Sequence, residues 1–464
     1  MTFKKWTHPL VTGTAILTLT GLVTRLIGFF YRIFLSNLFG AEGMGIYQLI
    51  SPVLALSYSL TVSGIQTAIS KYVADETSTH DYKTSFRTLW AGFLLAMTLS
   101  AVCASGVYLY ADFIAVTFLL EARTAPLLRI IALSIPMASV HSCINGYFYG
   151  IRKTAIPAFS QLAEQICRVG SVYLIYFLCK DKGFTPTISF AVVGLVIGES
   201  ASMLVSVIAI LARARHVFPP RPDRAFVHRL SIQAPCAAPV KVYRQIINKL
   251  LRLAVPLSAN RLILNLLQSV EAVCIPNRLM AYGLAGADAL GAYGVLTGMS
   301  LPLILFPCAL TNSISVLLLP IVSEADARGN QGAVKRAILT SIRLCLLFGF
   351  FCTVLFLLFG RLAGRLLFHS DMAGSFILTL SFLCPFMYLA STLNSILNGL
   401  GKTAQTFFFS VVSLLLRLLF VFFAIPLFGI KGYLWGMLAS QMLQTMLCTI
   451  SALHISRKTP TCDS

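Results

Sequence analysis

The sequence predicts an all-α polytopic membrane protein of about twelve transmembrane helices in two six-helix repeats. Three observations predict it. Hydrophobic residues make up 57% of the 464 and charged residues only 11%, with a mean hydropathy of +0.82, where a soluble domain carries about 25% charge. Apolar runs of bilayer length recur along the whole chain. The halves also echo each other: Pro136, Asn145-Gly146, Lys153-Thr154-Ala155 and Arg168 return 249 residues later as Pro385, Asn394, Lys402-Thr403-Ala404 and Arg417. A fainter echo pairs Gly40-Ala41-Glu42-Gly43-Met44-Gly45-Ile46-Tyr47 with Gly286-Ala287-Asp288-Ala289-Leu290-Gly291-Ala292-Tyr293. Repetition of apolar units is the signature of a duplicated membrane module, and therefore of a two-lobed transporter.

Six runs fill the first half, at 10–38, 46–70, 88–110, 126–150, 154–178 and 187–211. Six more follow at 252–276, 291–322, 337–360, 374–399, 403–428 and 432–455. Each is long enough for one crossing, which needs roughly 17–25 residues. An even number per half gives both copies the same orientation, so the repeat is parallel. The expected organisation is an N-terminal lobe over 1–211, a basic cytoplasmic linker over 212–250 and a C-terminal lobe over 251–464.

The net charge of +20 raises a nucleic-acid partner, and its distribution removes it. Segments 1–9, 71–88, 150–155, 212–252, 323–336, 400–403 and 456–464 hold 22 of the 36 Lys and Arg, and the alternate loops hold 8. By the positive-inside rule both termini are cytoplasmic, and most of the basicity is topological. The first run is too long for a cleavable signal peptide, contains Arg25 and Arg32, and continues into the lobe. The linker carries Arg213, Arg215, Arg221, Arg224 and Arg229 among prolines. Its end, 240–251, reads either as an amphipathic helix on anionic membrane lipids or as a basic loop that fixes topology.

Enzymatic and metal chemistry find no footing. The twelve cysteines form no C-x-x-C pair, so neither a metal site nor a disulfide framework is expected. Gly401-Lys402-Thr403 resembles the tail of a phosphate-binding loop, but Ile396 stands where its first glycine belongs. No catalytic residue and no cofactor is expected.

Six arginines remain inside the apolar runs: Arg25, Arg32, Arg168, Arg261, Arg343 and Arg417. Three glutamates join them: Glu164, Glu199 and Glu271. An ionised residue at the bilayer centre costs roughly 2.5–3.5 kcal/mol, so these face a wet cavity or a partner. The positive excess suits an anionic ligand, because guanidinium grips phosphate bidentately and keeps its proton. Arg25, Arg261, Arg168, Arg417 and Arg32 are the substrate-binding candidates. Arg343 sits near a helix end, where it can snorkel. Glu164 and Arg168, spaced i, i+4, can instead neutralise each other. Glu271 has no basic residue three or four positions away and is the candidate for coupling to H+ or Na+. Intramembrane prolines, among them Pro52, Pro136, Pro256, Pro302, Pro307, Pro320 and Pro385, supply kinks.

Thr24-Arg25-Leu26-Ile27-Gly28-Phe29-Phe30-Tyr31-Arg32 and Leu38-Phe39-Gly40-Ala41-Glu42-Gly43-Met44-Gly45-Ile46-Tyr47-Gln48 resemble the opening of the stage V sporulation protein B family. So do Ser63-Gly64-Ile65-Gln66-Thr67-Ala68-Ile69-Ser70-Lys71, Leu319-Pro320-Ile321-Val322-Ser323-Glu324-Ala325 and Leu397-Asn398-Gly399-Leu400-Gly401-Lys402. That family belongs to the MOP exporter superfamily, with the lipid II and polysaccharide flippases. The resemblance implies a MATE-like fold in the bacterial cytoplasmic membrane. It also implies a flippase that moves an undecaprenyl-pyrophosphate-linked saccharide by alternating access, in peptidoglycan, cell-wall or sporulation chemistry. Lipid II flippases carry an arginine in an Arg-x-x-Gly context that Arg25 and Gly28 match; their next arginine falls where this chain has Tyr31. Relatives often have fourteen helices, so twelve would lack the C-terminal pair. A multidrug cation antiporter of the same fold calls for an acidic cavity. A membrane-embedded glycosyltransferase calls for acidic residues in large outer loops, where only Asp112, Glu121, Asp288 and Asp371 stand.

Overall fold

The computed structural model of the chain describes residues 9–79, 81–181, 187–217, 239–308, 311, 318, 322–325, 328 and 331–457. Every regular element among them is helical. Helix Pro9–Leu49 breaks at Gly40, where φ is 68° and ψ −171°, a conformation open to glycine alone. The break separates α1 (9–39) from α2 (41–78), which runs on through Ser51–Tyr58, a π-helical turn at Ser59–Ser63, and Gly64–Ser78. The first lobe continues with α3 (Tyr82–Leu109), α4 (122–150), α5 (Ala155–Asp181) and α6 (Ile188–Val217). The second comprises α7 (Pro239–Ala281), α8 (286–305), α9 (Gln331–Phe368), α10 (371–399), α11 (403–428) and α12 (Ile430–Arg457).

Among the described residues nine stretches are long and apolar enough to cross a membrane, or ten with the 43° bend of α4 taken as one span. The first, Ala15–Ser78, has 64 residues. That is far beyond one crossing, and it holds both α1 and α2. The helices follow the order expected from the sequence, and α12 is not among the stretches that pass this test.

The duplication is written in the backbone. Leu120 and His369, 249 residues apart, both adopt positive φ (57° and 51°), and each precedes a helix N-cap, Glu121 and Ser370. Arg152 and Gly401 share the left-handed conformation at the ends of α4 and α10, with φ of 58° and 74°. The closing bonds match as well. Lys153 N donates to Phe148 O and Lys402 N to Leu397 O, each at 2.9 Å, while Ile151 N→Tyr147 O and Leu400 N→Ile396 O are each 3.0 Å. This is the Schellman closure of a helix C-terminus, built twice in one register.

The fainter echo serves as a contact between the lobes. A Cβ on Gly45 would collide with the Leu290 carbonyl, and one on Gly294 with the Ala41 carbonyl and the Gly45 amide. The two related segments therefore lie backbone against backbone, which small residues permit in membranes. The second crossing joins α7 to α2. Asn265 Nδ2 donates to Ala55 O at 3.2 Å and to Ser59 Oγ at 2.5 Å, beside the π-helical turn.

Helix α7 begins at Pro239 and α6 ends at Val217, so residues 239–250 and 212–217 of the expected linker are helical; residues 218–238 and the 319–321 motif lie outside the described residues. The apolar face of 240–251 packs on protein rather than on anionic lipid. Ile246 and Leu250 are buried with Ile65, Ala68 and Ile69 of α2, and Lys249 Nζ lies 4.4 Å over the Tyr72 ring. Burying that face in the first lobe removes the apolar surface a lipid-lying helix needs.

Basic residues of the sparsely basic loops are held by acids. Arg123 bonds Glu42 and Glu121, each at 2.7 Å, Arg129 bonds Asp112 at 2.6 Å, and Arg365 pairs with Asp371. The hydrogen bond from Arg123 holds the Glu121 carboxyl below its ordinary range.

Candidate functional site

Arg25 and Arg32 stand two helical turns apart on α1, and both line one cavity of about 450 Å³. Thr24, Gly28 and Phe29 continue that face of α1; Gln161 and Gln165 of α5 form a second wall, and Pro302, Leu305, Phe306 and Cys308 close the third. Among the described residues no acidic side chain lines the cavity and neither arginine is in an ion pair. Arg32 Nη1 reaches Thr297 O at 3.5 Å, within the π-helical turn Val295–Ser300 of α8. A π-helical turn breaks the regular ladder and recurs at functional sites. Gly28 keeps the wall between the arginines low: a Cβ there would meet nothing within 4 Å.

Arg261 lies outside this cavity. It sits at the other crossing between the lobes, where Nη1 donates to Ser63 O at 3.5 Å, in the π-helical turn of α2. The arrangement is reciprocal: α1 of the first lobe sends Arg32 to a π-helical turn of the second, and α7 of the second sends Arg261 to one of the first. Both bonds are long, and among the described residues each guanidinium makes only this one.

Arg168 and Arg417 occupy repeat-equivalent places on α5 and α11, and both are committed to carboxylates. Arg168 Nη2 lies 2.5 Å from Glu164 Oε1 and 3.5 Å from Glu199 Oε1. Arg417 Nη2 donates to Glu271 Oε2 at 2.7 Å, and Tyr433 Oη donates to Glu271 Oε1 at 2.7 Å. Each guanidinium thus stands against a carboxylate, unlike Arg25, Arg32 and Arg261, which are in no ion pair among the described residues. Glu271, the ion-coupling candidate, is paired in turn. It is isolated along α7, yet buried at 4% exposure between α11 and α12, where Arg417 meets it. Arg343 is exposed, as a snorkelling residue is.

Sequence reasoning passed over several residues of this region. Gln161 and Gln165 are an i, i+4 polar pair in an apolar run, a spacing that marks one helix face. Asn265 stands one turn after Arg261 in the same way. His141, placed against Glu199 at 2.8 Å, carries no local pattern that would single it out.

The geometry defines a helical membrane protein with a basic cavity lined by α1, α5 and α8. The chain belongs to the polysaccharide biosynthesis protein family, whose profile matches residues 10–326, and the MatE profile matches residues 265–423. It is similar to stage V sporulation protein B of Bacillus subtilis (strain 168), at 27% identity over 437 residues, covering 94% of this chain and 82% of the relative. Similarity to the lipid II flippase MurJ of the same organism is 23% over 432 residues, covering 88% of this chain and 75% of MurJ. Among solved structures, the inward-facing conformation of a multidrug resistance MATE family transporter of the MOP superfamily superposes with a TM-score of 0.68. It covers 95% of this chain and 98% of that one at 16% identity, a likeness of fold alone. The protein is thus a multi-pass membrane transporter of the MOP superfamily.

Proposed function

We propose that the chain is a flippase that moves an undecaprenyl-pyrophosphate-linked saccharide, of the lipid II type or another cell-wall precursor, by alternating access. The observation that carries this reading is the cavity holding Arg25 and Arg32 with no acidic lining residue among those described. Two fixed guanidiniums in a site of low dielectric attract a pyrophosphate and repel an organic cation. Gln161 and Gln165 offer neutral donors and acceptors of the kind a saccharide hydroxyl needs. Relatives in the stage V sporulation protein B and lipid II flippase lines support the same class of cargo.

The lobes 1–211 and 251–464 rock about this cavity in the proposed cycle, and the crossings at Arg32–Thr297 and Arg261–Ser63 are remade with each change of access. The site lies in the bacterial cytoplasmic membrane with both termini cytoplasmic, as the distribution of Lys and Arg supports. Membrane potential acting on the charged cargo supplies a drive. The test is transport in proteoliposomes of lipid II, of other undecaprenyl-pyrophosphate-linked glycans and of an organic cation. Movement of at least one lipid pyrophosphate with no movement of the cation supports the reading. Cation efflux without lipid movement overturns it in favour of the multidrug antiporter.

A further inference from the structure

We propose that the crossing of α2 and α7 seats the polyprenyl chain of a lipid pyrophosphate, with Arg261 holding its head. An apolar pocket of about 490 Å³ lies at this crossing, within the roughly 300–1,000 Å³ typical of ligand sites. Val53 and Leu60 of α2, Val107 of α3, Leu262 and Leu266 of α7, and Phe113 of the connection after α3 line it. Its floor is buried at Val53 and Val107, and its rim is open at Leu60, Leu266 and Phe113.

The walls offer no hydrogen bond to an occupant. Ser57 carries the one hydroxyl among the described lining side chains, and it donates to Val53 O at 2.7 Å. Cys103, also in the wall, packs as a small apolar residue. The occupant is therefore hydrocarbon. In a bilayer, burial alone does not select it, because lipid tails are as apolar as leucine side chains. Selection has to come from a head group fixed at the edge of the pocket.

That edge is polar and basic. The π-helical turn Ser59–Ser63 lends Leu60 to the pocket, while Ser59 Oγ accepts from Asn265 Nδ2 and Ser63 O accepts from Arg261 Nη1. On α7, Leu262 and Leu266 are spaced i, i+4, and Arg261 and Asn265 precede each by one residue. The two pairs form neighbouring stripes, one apolar and one polar. Arg261 is in no ion pair among the described residues, and its contact with Ser63 is 3.5 Å long. Its planar fork can take a phosphate bidentately without giving up a carboxylate.

Depth decides which anionic lipid fits. Arg261 lies inside the apolar run 252–276, within a hydrocarbon core about 30 Å thick. A resident phospholipid keeps its head outside that core, so a head at Arg261 belongs to a lipid that is crossing. Its chain has to leave sideways, past walls with no unmet polar group. The pocket supplies such walls and is continuous with the lobe-boundary contacts at Ser59 and Ser63. Arg261 stands outside the cavity of Arg25 and Arg32, so it holds the pyrophosphate at a station of its own. This inference rests on the flippase reading and deepens it by giving the cargo's chain a place.

The test is photolabelling of the full-length protein in phosphatidylcholine nanodiscs. The probe is undecaprenyl pyrophosphate carrying a diazirine on an isoprene unit near the pyrophosphate, and mass spectrometry locates the label. Label should enter α2, α3 and α7 around Leu60, Val107 and Leu266, and unlabelled undecaprenyl pyrophosphate should displace it. Leu60→Trp fills the pocket from its rim and should cut this label several-fold; Leu266→Trp serves if that variant does not fold. Arg261→Gln removes a charge-assisted contact and should cut the label roughly tenfold or more at subsaturating probe. Arg261→Lys should fall between. Displacement by phosphatidylglycerol, label spread evenly over the helices, or undiminished label in Arg261→Gln overturns the inference. Label at the pocket of a protein that moves no lipid would contradict the flippase reading and leave the site standing. Transport of lipid II with no label at the pocket would do the reverse.

Discussion

Arg417 and Glu271 are 146 residues apart and form a buried ion pair, with Arg417 Nη2 donating to Glu271 Oε2 at 2.7 Å and Tyr433 closing the other carboxylate oxygen. Their pairing ties α7, the first helix of the C-terminal lobe, to α11 and α12 behind it. The pair is short and buried, while the arginine contacts at the lobe boundary are both 3.5 Å.

Breaking a buried pair from one side leaves an uncompensated charge and costs about 3–5 kcal/mol. Glu271→Gln and Arg417→Gln should each lower the thermal stability of the detergent-solubilised protein by that order. The double variant should recover most of the loss, because two neutral amides can bond to each other. Equal and additive losses, measured as a double-mutant cycle, would contradict the pairing.

Arg152 and Gly401 give a cleaner comparison. A left-handed conformation costs a non-glycine residue roughly 1–2 kcal/mol, and a Cβ on Gly401 would meet nothing within 4 Å. Arg152→Gly should therefore stabilise the protein by about 1 kcal/mol, and Gly401→Ala should destabilise it by a similar amount. Thermal unfolding of both variants checks the shared backbone state, and opposite signs are the expected outcome.

Glycines in α1 and α2 should respond to bulk in different ways. Gly45→Leu forces the lobes apart at Leu290 and should lower stability and folded yield. Gly28→Leu projects into the cavity between Arg25 and Arg32 and should leave the unfolding temperature unchanged while transport is lost. A Gly28→Leu variant that transports at the wild-type rate would place the substrate path elsewhere.

The order of the helices was legible because bilayer length and apolarity are local properties, visible in any window of about 20 residues. Repeat register was legible for a similar reason: Gly, Pro, Asn and Lys mark the turns, and the turns recur with the same dihedral angles. Pairing was not legible. Nothing three or four residues from Glu271 announces Arg417, and the link between α7 and α11 exists only after both helices are packed. The Glu164–Arg168 pair was readable from its i, i+4 spacing, yet its extension to Glu199 and His141 needed α4 and α6 in place. The burial of 240–251 against α2 likewise depends on a surface supplied by the other lobe.

The most direct test is the initial rate at which lipid II crosses proteoliposomes carrying wild type, Arg25→Ala, Arg25→Lys or Arg32→Ala, at matched protein abundance. Losing one charge-assisted contact to pyrophosphate removes about 1.5–3 kcal/mol, so each alanine variant should slow transport by roughly tenfold to a hundredfold. Arg25→Lys should fall between, because it keeps the charge and loses the planar fork. Wild-type rates in both alanine variants, in a system where the wild type moves lipid II, would contradict the anion cavity as the site of transport.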